Sequence, residues 1–485
     1  MTVQSDSPDA TSQPTTGGGV HQPQPAGERP AIHPRPLAGW LNDPNGILRH
    51  DGRYHVFCQY NPDSARHSSI AWAHLSSPDL LSWHEHPVAI APTAGGDDAF
   101  GCWSGVGTVD DGVPTLVYTG IRDGGGPSTV LLARSGDAAL DAWAKDAVPA
   151  TGMPEGEQFT DVRDPFLFTL DGRRYGLQGA GTPGGDPAVL LYDATDLADW
   201  KYLGRLLDTR DPLAGELAAA DIWECPQLFR SGGSWVLLLS LWRWVDGAHQ
   251  LNSVAYLAGD LVTGEEGVPL RFAVRAGGRA DTGPDFYAPQ VLAETDRTLA
   301  WGWSWEGRAE EFADADGWAG LLTLPRELGL DGDALVMRPA AELEGLRGEA
   351  VELTAGAVSV LPDPAEVVVE PVTGDGADGT ASADTVSADV ELLLVAVGSD
   401  GAADSAAEDD GGRGVLRLPV GDGLRIYVDR TIVEVFRSGA APHTQRFYPA
   451  PGEQLALSLP AGVRASGWAL EPMGLEYRAE AGAQE

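Results

Sequence analysis

Three carboxylates in this chain share a local setting: Asp43 in NDPNG, Asp164 in RDPF and Glu224 in ECPQ each lie one or two residues ahead of a proline that opens a short apolar run. Carboxylates gathered in one pocket repel one another and lose solvent, so at least one holds its proton to unusually high pH. Such a cluster serves either a cation or acid–base chemistry. A metal would bring histidines or a dense acidic loop. The one close His pair, His84 and His86, lies in the polar stretch SWHEHP, and no metal or other cofactor is expected. Arg163 beside Asp164 is a fixed cation placed to keep that carboxyl ionised. An ionised nucleophile, a protonated acid and a stabilising third group are the set that glycoside cleavage requires. Cys225, next to Glu224, has no His near it in sequence to activate a thiol, which argues against a thiol nucleophile.

A repeat can bring these residues together. Four segments align, beginning at Asn42, Arg163, Glu224 and Tyr287, and each reads as proline, short strand, polar turn and second strand. Their prolines, Pro44, Pro165, Pro226 and Pro289, are separated by 121, 61 and 63 residues. The doubled first interval predicts a further copy near residue 105, where CWSGVGTVDDGVPTLVYTG (residues 102–120) is again strand, Asp-Gly turn, strand. Hairpins recur by chance in any all-β chain, but the even spacing argues for five units of a five-bladed β-propeller. Beyond it, ADVELLLVAV, LRIYVDRTIVEVFRSG and EQLALSLP alternate or run apolar, as strands of a smaller C-terminal β-sandwich do. The expected division is a disordered tail over 1–29, a propeller over 30–332 and a sandwich over 333–485. Two acidic Gly/Ala/Asp segments, 373–389 and 398–414, read as solvated loops within the sandwich.

In a propeller the innermost strand of each blade starts beside the central channel, so the residues just ahead of it face one another whatever their distance in sequence. Here these are Asp43, the Trp103-Ser104 pair, Asp164, Glu224 and the segment from Asp285 to Tyr287. Fourteen of the 15 tryptophans precede residue 325, and Trp40, Trp72, Trp103 and Trp223 flank the repeat starts or first hairpins. Aromatic faces pack on the C–H faces of sugar rings and leave the hydroxyls to polar groups. Trp72, Trp103 and Trp223 are therefore expected in the pocket, while at least half of the tryptophans should pack between blades.

Composition narrows the partner. With 71 Asp+Glu against 32 Lys+Arg, the net charge is −39, a poor match for nucleic acid or anionic membrane surfaces and a tolerable one for a neutral sugar. Three widely spaced cysteines, Cys58, Cys102 and Cys225, give no disulfide framework. The first 29 residues lack the basic start and apolar run of a signal peptide, and no stretch approaches the roughly 20 apolar residues of a membrane span. A cytoplasmic protein is expected, as a monomer or a homodimer.

Taken together, WLNDPNG (40–46), FCQYNP (57–62), WAHLSSPDLLSW (72–83), GCWSG (101–105), FTDVRDP (159–165), WECPQLF (223–229), DFYAPQ (285–290) and LTLPREL (322–328) resemble glycoside hydrolase family 32, the β-fructosidases. Eight motifs in order cover residues 30 to 330, and LRIYVDRTIVEVF resembles the family's C-terminal sandwich. The resemblance implies a retaining β-fructofuranosidase acting on terminal β-D-fructofuranosyl bonds of sucrose or short fructo-oligosaccharides. It also leaves open a fructosyltransferase or a levan- or inulin-type fructan hydrolase. It implies Asp43 as nucleophile, Glu224 as acid and then base, and Asp164 as transition-state stabiliser. Asn42, Gln59, Trp72, Ser104 and Arg163 match positions that hold the fructose ring, and Trp40, Trp103, Trp223 and Tyr287 complete the expected substrate-binding set. His67 and Trp103 stand where many members carry Trp and Phe, which bears on the leaving group preferred.

Overall fold

Asp-Gly pairs at residues 51–52, 111–112 and 171–172 have positive φ at both positions (46° and 77°, 48° and 81°, 49° and 78°). That conformation lets a two-residue turn match the right-handed twist of the strands it joins. In the computed structural model, which describes residues 29–124, 127–246, 248–264, 267–372, 389–396 and 412–477, each pair joins the first two strands of a four-stranded antiparallel blade. Five blades follow one another, with inner strands Gly39–His50, Gly101–Asp110, Asp161–Leu170, Ile222–Ser231 and Tyr287–Ala293. Each inner strand touches the next and the fifth touches the first, so the ring is closed. The outermost strand of the fifth blade is Ala334–Pro339, paired with Arg326–Asp331. That sheet thus runs past residue 332, where the sequence pattern placed the end of the propeller.

Amide side chains one residue after the repeat prolines tie blade to blade. Asn45 Oδ1 accepts from Gly105 N at 3.0 Å, between the first and second blades. Gln227 Oε1 accepts from Val291 N at 3.0 Å, between the fourth and fifth. Gln290 Oε1 accepts from Ile47 N at 2.8 Å, closing the fifth onto the first. Between the second and third blades, Thr119 Oγ1 accepts from Asp164 N at 2.9 Å. These bonds satisfy strand-start amides where the inner strands diverge from their own partners, and burying such amides unpaired would cost about 1–3 kcal/mol each. Closure is completed by Trp318–Ala319, which pairs in parallel with Gly39 and Trp40.

The C-terminal sandwich stacks a six-stranded sheet on a four-stranded one. Val367, Val369, Leu392, Leu394, Ile426, Val428, Val433 and Leu457 fill the space between them. The strands read from sequence appear as Asp389–Ala396, the hairpin Leu424–Asp429 and Ile432–Arg437, and Glu453–Ser458. Almost all of the tail expected over 1–29, and most of the two acidic segments, lie outside the described residues. Among the described residues no helix is long and apolar enough to cross a membrane.

Propeller and sandwich meet through buried charge. Arg326, fully buried, bonds Asp281 at 2.8 Å and Glu434 at 2.6 Å. His33 spans Asp429 at 2.6 Å and Glu434 at 3.0 Å. Nearby, Glu306 takes Arg308 at 2.9 Å, Arg446 at 3.4 Å and the Tyr448 hydroxyl at 2.7 Å. Sandwich strand Ala440–Arg446 also pairs with the connection into the fifth blade: Asp285 N donates to Thr444 O at 3.3 Å, and Arg446 N donates to Asp285 Oδ2 at 2.6 Å.

Candidate active site

Asp164, Cys225 and Ala288 each precede a repeat proline and each has positive φ, 61°, 47° and 43°. A residue before proline is kept out of the right-handed helical region, and a left-handed residue with a side chain costs on the order of 1–3 kcal/mol. Strand register breaks at the same place, between Glu224 and Gln227 and between Tyr287 and Gln290. Bulges of this kind re-aim side chains. Here they turn the strand starts toward the axis, where Asp43 and Asp164 meet across Cys225 and Glu224 meets Arg163 and Tyr287.

Each carboxylate is held differently. Asp43 accepts from Ser104 Oγ at 2.6 Å and Gln59 Nε2 at 3.2 Å, with Asn42 Nδ2 at 3.4 Å on its other oxygen. Trp40 Nε1 donates to Asn42 Oδ1 at 3.0 Å and so orients that amide. Asp164 accepts from Cys225 N at 2.9 Å. The Cys225 sulfur lies 3.6 Å from Asp164 and 3.8 Å from Asp43, between the two acids. Glu224 is clasped by Arg163, through Nε at 3.0 Å and Nη2 at 2.9 Å, and accepts the Tyr287 hydroxyl at 2.6 Å.

Burial pushes Asp43 up to about 7; the Ser104 hydroxyl pulls against that rise, and the charges of Asp164 and Glu224 add to it. Asp164 is also raised, because burial and Glu224 outweigh the pull of Arg163. The expectation that Arg163 keeps Asp164 low is therefore corrected. The guanidinium bonds Glu224, with Asp161 at 2.7 Å on its other side, and neither bond goes to Asp164. The Cys225 thiol is pushed up by burial and by the acids around it, so it is no thiolate nucleophile.

Two expected pocket residues are elsewhere. Trp72 and Trp223 are fully buried, with ring N–H groups donated to Cys102 O at 3.2 Å and Ala218 O at 2.7 Å. Trp72 packs against Phe57 and Tyr118, and Trp223, on the fourth inner strand, packs into the main core. Trp103 does face the opening: with Ile121, Asp123, Met153, Asp161 and Arg163 it lines a pocket of about 110 Å³. A narrower gap lined by Asn45, Ser104, Asp164, Cys225 and Gln290 lies on the axis. His67 stands edge-on to both Trp40 and Trp103, 6.1 and 6.4 Å between ring centres. The carboxylate of Asp285 turns to the sandwich instead of the pocket. Sequence reasoning passed over Asn45, Gln227 and Gln290, although an amide follows the proline in three of the four proline-bearing repeats. His86 belongs to a stack with His74, 4.0 Å and 17° between rings, and its nitrogens meet Ser76 and Asp141. With His55 these two histidines each offer a ring nitrogen within 4.8 Å of the others, a group that could hold a metal ion.

A closed propeller with three acids, one guanidinium and an aromatic mouth defines a glycoside-cleaving enzyme. Residues 33–339 match the family model described as the glycosyl hydrolases family 32 N-terminal domain, and the chain belongs to that family of glycoside hydrolases. It is similar to a sucrose-6-phosphate hydrolase of Klebsiella pneumoniae, 32% identical over 92% of this chain and 94% of the relative. It is also similar to a raffinose invertase of Escherichia coli, 34% identical over 88% and 91%. Among solved structures, a fructan 1-exohydrolase of Cichorium intybus superposes with a TM-score of 0.74 at 24% identity, covering 94% of this chain and 100% of the other. A Bombyx mori β-fructofuranosidase gives 0.73 at 24%, covering 92% and 95%.

Proposed function

We propose that this enzyme hydrolyses terminal β-fructofuranosyl bonds of sucrose and short fructo-oligosaccharides with retention of configuration. Asp43 attacks the anomeric carbon of the fructosyl unit while Glu224 gives its proton to the departing glycosidic oxygen. Glu224 then takes a proton from water, whose oxygen displaces Asp43 and regenerates the free carboxylate. Asp164 bonds the ring hydroxyls and strengthens its hold as positive charge develops on the ring. The single observation that supports this reading best is the asymmetric dressing of the acids. Asp43 receives only neutral donors, from Ser104, Gln59 and Asn42. Glu224 instead meets the Arg163 guanidinium and the Tyr287 hydroxyl.

Asp43 must be ionised to attack, so the free enzyme should gain activity as pH rises through about 7. Nuclear magnetic resonance of the first fructose released from sucrose tests the route: β-furanose ahead of its equilibration supports retention, and α-furanose contradicts it. Asp43→Ala should abolish hydrolysis without loss of folding; a folded variant of near-native rate would contradict the assignment. Products at high sucrose separate hydrolysis from transfer: free glucose and fructose support the former, growing oligomers the latter. A cytoplasmic setting fits the three free, buried thiols.

A further inference from the structure

Residues spaced two apart on three neighbouring strands put a histidine cluster on one face of the first blade. His55 and Phe57 lie on its second strand, Arg53–Asn61, and His74 and Ser76 on its third, Ala71–Ser77. His84 lies on the fourth, Ser82–Glu85, and His86 just after it. Phe57 is opposite His74, His55 opposite Ser76, and Ser76 opposite His84. His86 N donates to His74 O at 2.9 Å, which carries the same register past the end of the last strand. Strand alternation then turns all six side chains to one side of the sheet. The second blade covers that side: Trp143 stands edge-on to Phe57, 5.6 Å between ring centres, and Asp141 Oδ1 lies 2.7 Å from His86 Nδ1.

Three of these rings bring nitrogens together. His55 Nδ1 is 2.9 Å from His74 Nε2, and one nitrogen each of His55, His74 and His86 lie within 4.8 Å of one another. The bonds around His86 decide which of its nitrogens carries the lone pair. Arg53 donates to Ser76 Oγ through Nε at 3.2 Å and Nη2 at 3.0 Å, so the Ser76 hydroxyl donates its own proton to His86 Nε2, at 2.7 Å. Asp141 accepts from His86 Nδ1 on the other side. A carboxylate that holds one ring N–H and leaves the other nitrogen as the donor is the usual support of a metal-bound histidine. Burial lowers the pKa of all three rings, so they are neutral, the form that ligates. Arg53 opposes a cation here, and Asp141 offsets it. His55 and His74 are buried while His86 is only partly so, which gives an ion a way in.

We propose that His55, His74 and His86 bind one divalent transition-metal ion of the zinc class, with Asp141 as the outer carboxylate that orients His86. Imidazole donors select such an ion over magnesium or calcium. Tetrahedral Zn–N bonds of about 2.0–2.1 Å set the ligand nitrogens about 3.4 Å apart. His55 and His74 therefore part slightly, and His86 tilts out of its 17° stack on His74 to close the set, with the ion in place of the Ser76 proton at Nε2. Gln59, which bonds Asp43, is four residues beyond His55 on the same strand, about 14 Å at the rise of an antiparallel strand. The ion takes no part in cleavage. It ties two strands and the end of a third in the first blade to each other and, through Asp141, to the second blade.

In the test, the untagged full chain is stripped with EDTA and titrated with Zn²⁺ by calorimetry, beside His74→Gln, His86→Gln, Asp141→Asn and, as a control on the exposed edge, His84→Gln. Co²⁺ in place of Zn²⁺ reports the coordination through its visible spectrum. The expected result is one Zn²⁺ per chain, a tetrahedral Co²⁺ spectrum and a melting temperature that climbs with free Zn²⁺. Affinity should fall about 100-fold in His86→Gln and about tenfold in Asp141→Asn, and stay near native in His84→Gln. His86→Gln, at the edge of the blade, carries the test if His74→Gln fails to fold. No binding at micromolar Zn²⁺, binding undiminished in His86→Gln, or binding lost in His84→Gln alone would each overturn the site and leave the three rings as a packed stack.

Discussion

Two buried clusters of charge, one on the propeller axis and one between propeller and sandwich, are built from the same residue types and solve opposite problems. At the interface Asp281, Glu306, Asp429 and Glu434 each pair with a cation, whereas Asp285 accepts the Arg446 backbone N and is raised to about 6 by burial. Burial alone would raise Glu434 and Asp281, but Arg326 outweighs it and both are lowered. Glu306 falls to about 2 against its burial, through Arg446 and Arg308. His33, which burial alone would discharge, is raised to about 9 by Asp429 and Glu434. On the axis the Arg163 guanidinium bonds Glu224 and Asp161 and neither Asp43 nor Asp164, and burial prevails at those two. The interface spends its charges on alignment of two domains. The axis leaves two buried acids without a bonded cation, which suits the proton transfer and carboxylate attack proposed for it, and it holds positive φ at Asp164 and Cys225 as well.

The contrast can be broken at either end. Glu224→Gln keeps the bulk of the side chain and removes the proton that the proposed acid would transfer. It should lower kcat on sucrose by about 10²–10⁴-fold with the melting temperature nearly unchanged; steady-state kinetics with calorimetry checks this. Arg326→Leu should do the reverse: it strands Asp281 and Glu434 and costs about 3–5 kcal/mol in denaturant unfolding, while kcat of the folded fraction stays near native. His33 gives a pH signature. Its pKa in the folded protein lies above its ordinary 6.5, so its contribution is complete below pH 6.5 and is lost as pH rises through about 9. At 1.36 kcal/mol per unit this amounts to at most about 3 kcal/mol. His33→Gln should flatten that alkaline loss in melting curves taken from pH 6 to 10. The smallest change concerns Ser104, whose hydroxyl favours ionised Asp43. Ser104→Ala should move the acidic limb of kcat/KM upward by about one pH unit.

The architecture was legible because it repeats. Prolines near positions 44, 165, 226 and 289 and Asp-Gly turns mark blade edges through local backbone rules, and local rules survive without knowledge of the tertiary fold. Convergence of Asp43, Asp164 and Glu224 followed from blade geometry alone. Direction was harder to read. Trp72 and Trp223 flank the right strands, but a one-residue change of face decides between pocket and core, and bulges at the prolines reset that alternation. Arg163 was assigned by adjacency to Asp164, whereas neighbours on a strand point to opposite faces; the guanidinium met Glu224 from the next blade instead. Asp285 looked like an axis acid until a second domain, invisible in the repeat, claimed its carboxylate. Asn45, Gln227 and Gln290 carried a readable signal in the residue after each proline, but their partners lie in other blades.

The most direct test of the division between paired and withheld charge is the stability of Asp43→Asn as a function of pH. With its pKa about 7 in the folded chain and 3.8 ordinarily, ionising Asp43 opposes folding, with no penalty below about pH 4 and the full penalty above about pH 7. The neutral variant should therefore be inactive on sucrose and yet unfold later than the native chain at pH 8, by up to about 4 kcal/mol, with the gap closing toward pH 4. A variant that is less stable than the native chain at pH 8, or that keeps native activity, would contradict the account.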